Sequence, residues 1–160
     1  SRKQALEARL QRPLQFNPQP RPDIEAIVLM LRPTQARVLV PTLALFGASR
    51  LPLAGTSMLN AGDRSALDAE TEGLYLLECP EVLQPSAGAP QNAQDQRLFA
   101  MGQDAFGLIR ALPALVRQPD TVVPGRTGSL SLNAQRQIQR QLQPARFRGG
   151  RLQPVDALSP

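Results

Sequence analysis

Short apolar runs separated by turn residues recur along the chain, and they predict a series of strands. Residues 23–31 (DIEAIVLML) form a nearly continuous apolar run between turn residues. Its length and its isoleucine and valine content predict a strand covered on both faces, as in a parallel sheet. Residues 51–55 (LPLAG) predict a short strand, and residues 73–80 (GLYLLECP) predict a buried one that ends at Pro80.

Two other segments have apolar residues at helical spacing. Residues 1–11 (SRKQALEARLQ) predict a helix, and residues 33–47 (PTQARVLVPTLALFG) predict a second one. Pro33 suits the first turn of that helix and Gly47 its C-terminal cap, while Pro41 should kink or divide it. The predicted apolar stripe of this helix consists of Ala36, Leu39, Val40 and Leu43.

The most regular amphipathic pattern lies in residues 95–115 (DQRLFAMGQDAFGLIRALPAL). It predicts a helix whose apolar face covers the sheet, so that Ile109 is a core residue. Pro113 should end or bend this helix. The predicted buried face consists of Leu98, Met101, Ala105, Ile109 and Leu112.

The closing stretch, residues 125–155 (GRTGSLSLNAQRQIQRQLQPARFRGGRLQPV), has two possible interpretations. It is either an RNA-binding tail of the arginine–glycine type or a set of strands with a turn around Asn133 and a tight hairpin at Gly149-Gly150. Such a tail is repetitive and disordered, whereas here the arginine–glycine motif occurs once, among apolar residues that need burial. We therefore expect strands and no nucleic-acid partner. The strands should bury Leu130, Leu132 and Phe147, and should leave Arg148 and Arg151 in solvent.

Strands and helices in this order, followed by terminal strands, predict an α/β domain. The 160 residues fit one domain, with 42% hydrophobic and 19% charged residues as in globular proteins. The formal charge is +5, from 18 Lys and Arg against 13 Asp and Glu. A basic surface suits solubility, and it also suits an anionic membrane face, a nucleic acid or an acidic protein.

The residue types that most enzymes use are scarce. The sequence has no His, which removes the usual general base and the commonest metal ligand. Cys79 lies in a buried strand pattern and is expected to be a small core residue. We expect no catalysis, no metal and no cofactor. The carboxylates nearest to one another lie in a loop, with nothing to place two of them across a reacting bond: Asp63, Asp68, Glu70 and Glu72.

One segment follows a predicted strand where α/β proteins bind ligands. Gly55, Thr56 and Ser57 follow the strand in residues 51–55, and ligands of open α/β sheets bind beyond the carboxyl ends of the strands. Hydroxyls and free amides there could hold a ligand, or they could simply stabilise a turn.

Four stretches of the chain resemble one family in the same order. They are residues 17–30 (NPQPRPDIEAIVLM), 33–57 (PTQARVLVPTLALFGASRLPLAGTS), 97–109 (RLFAMGQDAFGLI) and 125–155, quoted above. Together they resemble the C-terminal domain of the LpoA/LppC family of outer-membrane lipoproteins, which activate penicillin-binding protein 1A.

The resemblance implies a type I periplasmic binding protein-like fold, with two α/β lobes around a cleft and three-layer, mostly parallel sheets. It implies that this chain is the C-terminal half of such a domain. Residues 17–78 would then supply second-lobe elements, residues 79–125 first-lobe elements and residues 126–155 the closing strands. The cleft would include Gly55, Thr56 and Ser57.

The function implied by the resemblance is non-enzymatic regulation of peptidoglycan synthesis. The protein would activate a bifunctional synthase, a 1A-type penicillin-binding protein, by contact. It would lie in the periplasm, anchored to the inner leaflet of the outer membrane through a lipid outside this chain. The alternative is a periplasmic sensor that closes on a small molecule or a cell-wall fragment.

Overall fold

The structure is a computed structural model that describes residues 2–13, 20–60, 62, 71–118 and 121–156. The predicted helices over residues 1–11, 33–47 and 95–115 are all present, and a short helix follows Pro80. None of the helices in these ranges is both long and apolar enough to cross a bilayer. The α-helices are α1 (Arg2–Leu10), α2 (Pro33–Leu45), α3 (Pro80–Leu83) and α4 (Ala93–Arg117).

The strands form two separate sheets, one of five strands in the order β1-β2-β3-β7-β8 and one of three in the order β4-β5-β6. This confirms an α/β organisation. The strands are β1 (Ile27–Leu29), β2 (Leu53–Gly55), β3 (Tyr75–Glu78), β4 (Val123–Pro124), β5 (Ser129–Leu132), β6 (Ile138–Gln141), β7 (Gln143–Arg148) and β8 (Arg151–Pro154).

The five-stranded sheet is mixed. β1, β2 and β3 run parallel, whereas β7 pairs antiparallel with β3 and β8 pairs antiparallel with β7. The parallel pairing of β1 with β2 follows from the crossover connection through α2, since parallel neighbours cannot be joined by a tight turn. The antiparallel part is the closing hairpin, which returns to this sheet after the chain has built the three-stranded one.

The main hydrophobic cluster lies between α2 and one face of the five-stranded sheet. The buried members of this cluster come from the strands, from α2 and from the loops, and they are Leu29, Ala36, Leu59, Leu74, Leu76 and Phe147. The other predicted stripe residues of α2, Leu39, Val40 and Leu43, pack against it, as predicted. Gly47 follows the helix with φ +79°, the left-handed conformation of a helix stop.

Pro41 does not divide α2 and Pro113 does not end α4, and the expectation about strand burial needs correction. α2 continues as one helix through Pro41 to Leu45, and α4 continues past Pro113 to Arg117. β1 is covered on one face only within the described residues, because Leu29 is buried whereas Val28 is 63% exposed. The alternation in a three-residue strand therefore sends one side chain inward and its neighbour outward.

The closing strands confirm the folded interpretation of residues 125–155. β5 and β6 form a hairpin through a turn at Asn133, and Leu130 and Leu132 are buried. β7 and β8 pair with Arg148 opposite Arg151. The two residues between them, Gly149 and Gly150, have φ values of +56° and +69°, as a two-residue hairpin turn requires.

The orientation of α4 contradicts the prediction for its apolar face. Leu98, Met101 and Ile109 are 57%, 56% and 70% exposed. A different side of the helix faces inward. It lies about a quarter-turn or more away from the predicted face, and it carries small, apolar and polar residues. The buried members of that side are Ala93, Gln96, Ala100 and Leu115, and the half-buried ones include Arg97, Asp104, Leu108 and Ala111. The reason is that polar contacts hold Arg97 against Glu78 and Asp104 against the loop at residues 125–128.

Candidate functional site

The three predicted site residues lie at the carboxyl ends of the parallel strands, as expected. Gly55 ends β2, and Thr56 leads into a single 3₁₀ turn at Ser57–Leu59. Gly55 itself faces the core, because a Cβ atom there would lie 2.1 Å from Leu59 Cδ1. The glycine is therefore needed to let the following turn fold back onto the sheet.

A fully buried carboxylate lies beside this turn, at the end of β3. Glu78 is 0% exposed, and Arg97 of α4 reaches it with two hydrogen bonds. Arg97 Nε donates to Glu78 Oε1 at 3.0 Å and one terminal nitrogen donates to Oε2 at 2.6 Å. Asn60 Nδ2 donates to Oε2 at 3.1 Å, and the Cys79 amide donates to Oε1 at 2.9 Å. The carboxylate is thus satisfied on both oxygens, which is what a buried charge requires.

The same arginine also holds the turn that carries the predicted site. The terminal nitrogen that binds Glu78 Oε2, Nη2, also donates to the carbonyl oxygens of Ser57 at 2.8 Å and Asn60 at 3.0 Å. Arg97 therefore joins β3, α4 and the turn after β2 in one network. These bonds tie the Thr56–Asn60 segment to α4, and the Ser57 carbonyl oxygen accepts one of them.

The Thr56 hydroxyl is a buried polar group without a hydrogen-bond partner in the described residues. The Thr56 amide donates to Leu29 O at 3.4 Å, but Thr56 Oγ1 is buried and hydrogen-bonded to nothing in the described part of the chain. A buried hydroxyl without a partner is a feature that a ligand or a water could satisfy. Ligand binding by Gly55, Thr56 and Ser57 remains a prediction.

Two further carboxylates, Asp104 of α4 and Glu81 of α3, hold these helices against the loop at residues 125–128. Asp104 accepts hydrogen bonds from the amides of Arg126 and Thr127 at 2.6 and 2.8 Å, and from Thr127 Oγ1 at 2.6 Å. Glu81 is fully buried: its Oε1 accepts from the amide and the hydroxyl of Ser86, and its Oε2 has no hydrogen bond in the described residues but forms an ion pair with Arg126 at 3.3 Å. These acids are occupied in holding elements together.

The other residues considered as candidates for catalysis are Cys79 and the carboxylates of residues 63–72. Cys79 is buried, as predicted, and burial, with the adjacent Glu78 carboxylate, raises the pKa of its thiol above the ordinary 9.0. Glu72 accepts a hydrogen bond from the Gly149 amide at 2.9 Å. No cluster of three or more His, Cys, Asp or Glu occurs in the described ranges. Three of the carboxylates noted in the sequence lie outside the described residues: Asp63, Asp68 and Glu70.

Two grooves of about 470 Å³ each lie along the three-stranded sheet. One of them runs between α4 and β4–β5, with Asp104, Leu108 and Leu130 in its walls. Neither groove is lined by Gly55, Thr56 or Ser57. The predicted site therefore lies at the carboxyl end of β2 and not in either of these grooves.

Sequence reasoning missed the Glu78–Arg97–Asn60 network and the Asp104 contacts. The one local signal was Glu78, a carboxylate at an inward position of a strand that is otherwise apolar. A buried acid needs a cationic or amide partner, but the partners lie 18 and 19 residues away along the chain, and nothing in the spacing identifies them.

Comparison with known proteins places the chain in a family. Residues 1–150 match the family described as "LppC putative lipoprotein". A penicillin-binding protein activator LpoA from Dickeya chrysanthemi is 32% identical over 144 residues, which cover 83% of this chain and 21% of that protein. One from Vibrio antiquarius is 27% identical over 141 residues, 81% of this chain and 23% of that protein. The chain thus spans about a fifth of the length of these relatives.

Solved structures show the same fold. The C-domain of Haemophilus influenzae LpoA, described as a regulator of PBP1A, matches with a TM-score of 0.72 at 20% identity, over 96% of this chain and 49% of that one. A putative branched-chain amino acid ABC transporter protein from Chromobacterium violaceum matches with a TM-score of 0.61 at 24% identity, over 91% of this chain and 52% of that one. These matches confirm the predicted type I periplasmic binding protein-like fold. By its sequence over residues 1–150, the chain belongs to the LppC putative lipoprotein family.

Proposed function

We propose that this chain is part of a non-enzymatic activator of peptidoglycan synthesis, which stimulates a bifunctional 1A-type penicillin-binding protein by direct contact. The observation that carries the proposal is the family match over residues 1–150. The relatives named as penicillin-binding protein activators, and the fold shared with a domain described as a regulator of PBP1A, support it.

The state of the polar side chains also supports a role without catalysis. Glu78, Glu81 and Asp104 each accept hydrogen bonds or ion pairs that tie elements of the fold together. A general acid or base needs a proton-accepting atom free to approach a substrate, and these three carboxylates serve as internal partners instead. Contact with another protein does not need such a group.

We further propose that the protein acts in the periplasm, anchored to the inner leaflet of the outer membrane by a lipid outside this chain. The description of the family as a lipoprotein family supports this proposal. A lipid anchor would hold the protein at one membrane while leaving its folded domains free to reach a synthase.

For the domain organisation, we propose that the chain contributes to both lobes of a two-lobed domain. Residues 17–78 would supply second-lobe elements, residues 79–125 first-lobe elements and residues 126–155 the closing strands. The two separate sheets support this division, with β5 and β6 pairing in the smaller sheet and β7 and β8 returning to the larger one. The closing strands would therefore be shared between the lobes.

A binding titration tests the proposed partner. Full-length protein is titrated onto the 1A-type penicillin-binding protein of the same bacterium, and complex formation is followed by fluorescence anisotropy. We expect the anisotropy to rise with the amount of protein added and to reach a plateau. A bifunctional synthase of another class serves as the control, and equal binding to both synthases, or to neither, would contradict the proposal.

A ligand in the cleft is the second candidate function, and the unpartnered Thr56 hydroxyl is the observation that favours it. Calorimetry of the two-lobed domain with amino acids and with cell-wall fragments tests for heat of binding. If the hydroxyl contacts the ligand, Thr56→Val should weaken binding and Thr56→Ser should retain it. Unchanged binding by both variants would remove Thr56 from the site.

A further inference from the structure

Three arginine side chains lie on one face of the β7–β8 hairpin. Arg146 and Arg148 are two residues apart in β7, so their side chains share a face of the sheet, and Arg151 of β8 pairs directly with Arg148. Cα atoms two residues apart in a strand are about 7 Å from each other, and those of a direct antiparallel pair are about 5 Å apart. We call Arg146, Arg148 and Arg151 the arginine cluster.

The arginine cluster has no acidic partner within the described residues. No ion pair there involves any of its three members. Arg148 and Arg151 are exposed, and Glu72, a carboxylate at the same turn, accepts a hydrogen bond from the Gly149 amide instead. Like charges paired directly across two strands destabilise a sheet, so the position of Arg148 opposite Arg151 disfavours the hairpin slightly. Such a pair suits a surface whose charge is neutralised by an external acid.

A pocket of about 260 Å³ lies beside the arginine cluster, at the amino ends of β2 and β3. Arg146 lines the pocket and stacks on Tyr75, with its guanidinium carbon 4.8 Å from the centre of the ring. Its Nε donates to the Gly73 carbonyl oxygen at 3.1 Å, whereas its two terminal nitrogens donate to no atom of the described residues. Arg146 is therefore held in place with part of its hydrogen-bonding capacity unused, and exposed Arg50 also lines the pocket.

These features favour a carboxylate as the group that the pocket binds. A guanidinium binds a carboxylate through two parallel hydrogen bonds, and one whose orientation is already fixed loses less freedom on binding. Glu72 is the only carboxylate among the described residues that line the pocket, against Arg50 and Arg146. The excess of positive charge attracts an anion to the pocket.

The surroundings of the arginine cluster favour a protein segment over a lipid surface. Basic segments that lie on membranes usually present large apolar side chains to the lipid. The hairpin positions beside the arginines are instead Gly149, Gly150 and Gln153. A walled pocket next to exposed arginines fits a chain with several acidic residues, with one carboxylate in the pocket and the others on the hairpin.

We propose that the arginine cluster and this pocket bind an acidic segment of the synthase. Arg146 binds one Asp or Glu side chain of that segment in the pocket, and Arg148 and Arg151 pair with neighbouring acidic residues. The surface lies at the amino ends of the parallel strands, whereas the predicted cleft residues lie at the carboxyl end of β2, so the two sites do not overlap. The inference rests on the proposed contact with a 1A-type synthase, and it adds where that contact lies and which chemistry recognises it.

Charge reversal in the full-length protein, titrated with the 1A-type synthase, tests the inference. Arg148→Glu with Arg151→Glu reverses the exposed part of the cluster, and Arg110→Glu with Arg117→Glu makes the same change in net charge at exposed positions of α4. We expect the hairpin variant to bind at least about tenfold more weakly and the α4 variant to change by less than about twofold. The loss should come mainly from slower association and should shrink in high salt, because exposed charges steer association and are screened by salt.

The controls separate this inference from the proposed activation. The urea midpoints of both variants should stay close to that of the unaltered protein, and the milder change, Arg148→Gln with Arg151→Gln, should weaken binding in the same direction by a smaller factor. Equal binding by the hairpin and α4 variants would overturn the inference and leave the proposed activation standing. No binding by the unaltered protein would contradict the activation and the inference together.

Two further measurements identify the bound group. Arg146→Lys keeps the positive charge but loses the planar fork that binds a carboxylate, so we expect it to weaken binding at least about threefold. A short glutamate-rich peptide should compete with the synthase for the unaltered protein, and its glutamine counterpart should not. Full affinity of Arg146→Lys would overturn the placing of a carboxylate in the pocket. Binding to phosphatidylglycerol vesicles that depends on Arg148 and Arg151, with synthase binding unaffected by their loss, would identify a membrane as the occupant and overturn the inference.

Discussion

At the scale of single residues, the most consequential contact is the ion pair between Arg97 and Glu78. Glu78 is fully buried and Arg97 is 24% exposed, and together they connect β3, α4 and the turn after β2. Removing one member leaves the other as an uncompensated buried charge, and such losses are costly. The contacts that hold this fold together are therefore partly ionic.

We predict that Arg97→Met lowers the free energy of unfolding of the two-lobed domain by about 3–5 kcal/mol. Arg110→Met, on the exposed side of the same helix, should change it by less than about 0.5 kcal/mol. Urea unfolding followed by circular dichroism measures both. Joint replacement, Arg97→Met with Glu78→Leu, should recover part of the loss, because no charge then remains buried. Similar stabilities for the two single variants would show that the pair is dispensable.

Cys79 provides a second residue-scale prediction, on pH. Burial raises the pKa of its thiol in the folded state, so the folded protein holds this proton more tightly than the unfolded chain does. The resulting contribution to stability is fully present below the unfolded pKa, near 9.0, and is lost as the pH rises through the higher folded pKa.

The measurement for Cys79 is the urea midpoint at several pH values between neutral and alkaline, for the unaltered domain and for Cys79→Ala. We expect the difference between the two to be constant below the unfolded pKa and to shrink above it. Other groups titrate in the same range, but they are common to both proteins. A difference that stays constant, or grows, at alkaline pH would show that the thiol is not desolvated.

At the scale of elements, the β7–β8 hairpin shows how local chemistry fixes a connection. Gly149 and Gly150 both have positive φ, and the Gly149 amide donates to Glu72. We predict that Gly149→Val with Gly150→Val lowers the free energy of unfolding by several kcal/mol, at about 1–3 kcal/mol for each strained residue. Thermal and urea unfolding give the size of the effect.

The matched control for the hairpin is Arg148→Gln with Arg151→Gln. Both arginines are exposed and flank the same turn, so their loss should change stability by less than about 0.5 kcal/mol. The contrast distinguishes a folded hairpin from a charged tail. Melting that is insensitive to the glycine changes and sensitive to the arginine changes would contradict the observed pairing.

The elements also show what could be predicted from the sequence and what could not. The 149–150 turn and the Ala36 stripe of α2 follow from residues close together in the chain, and both predictions are correct. The inward side of α4 depends instead on Glu78 and on the 125–128 loop, which lie 19 or more residues away from Arg97 and Asp104. Apolar periodicity identifies the side of α4 that carries Leu98, Met101 and Ile109, which is exposed. Long-range polar contacts decide which side of the helix faces inward.

At the scale of the whole molecule, the two sheets explain why the closing segment has to be long. The chain completes the three-stranded sheet with β5 and β6 and then returns to the five-stranded sheet, where β7 pairs with β3. The predicted cleft residues follow the carboxyl end of β2, an interior strand of the larger sheet. Their ligand could not be predicted, because only the position of Thr56 and its free hydroxyl distinguish the site, and neither identifies a chemical class.

The proposed activation of peptidoglycan synthesis by protein contact can be measured directly. The most direct test is the rate at which a 1A-type penicillin-binding protein from the same bacterium makes cross-linked peptidoglycan, with and without the full-length protein. We expect the rate to rise with the amount of protein added and to level off once the synthase is saturated, while the protein alone makes and cleaves nothing. A synthase rate that stays unchanged at saturating protein, or a reaction catalysed by the protein alone, would contradict the account.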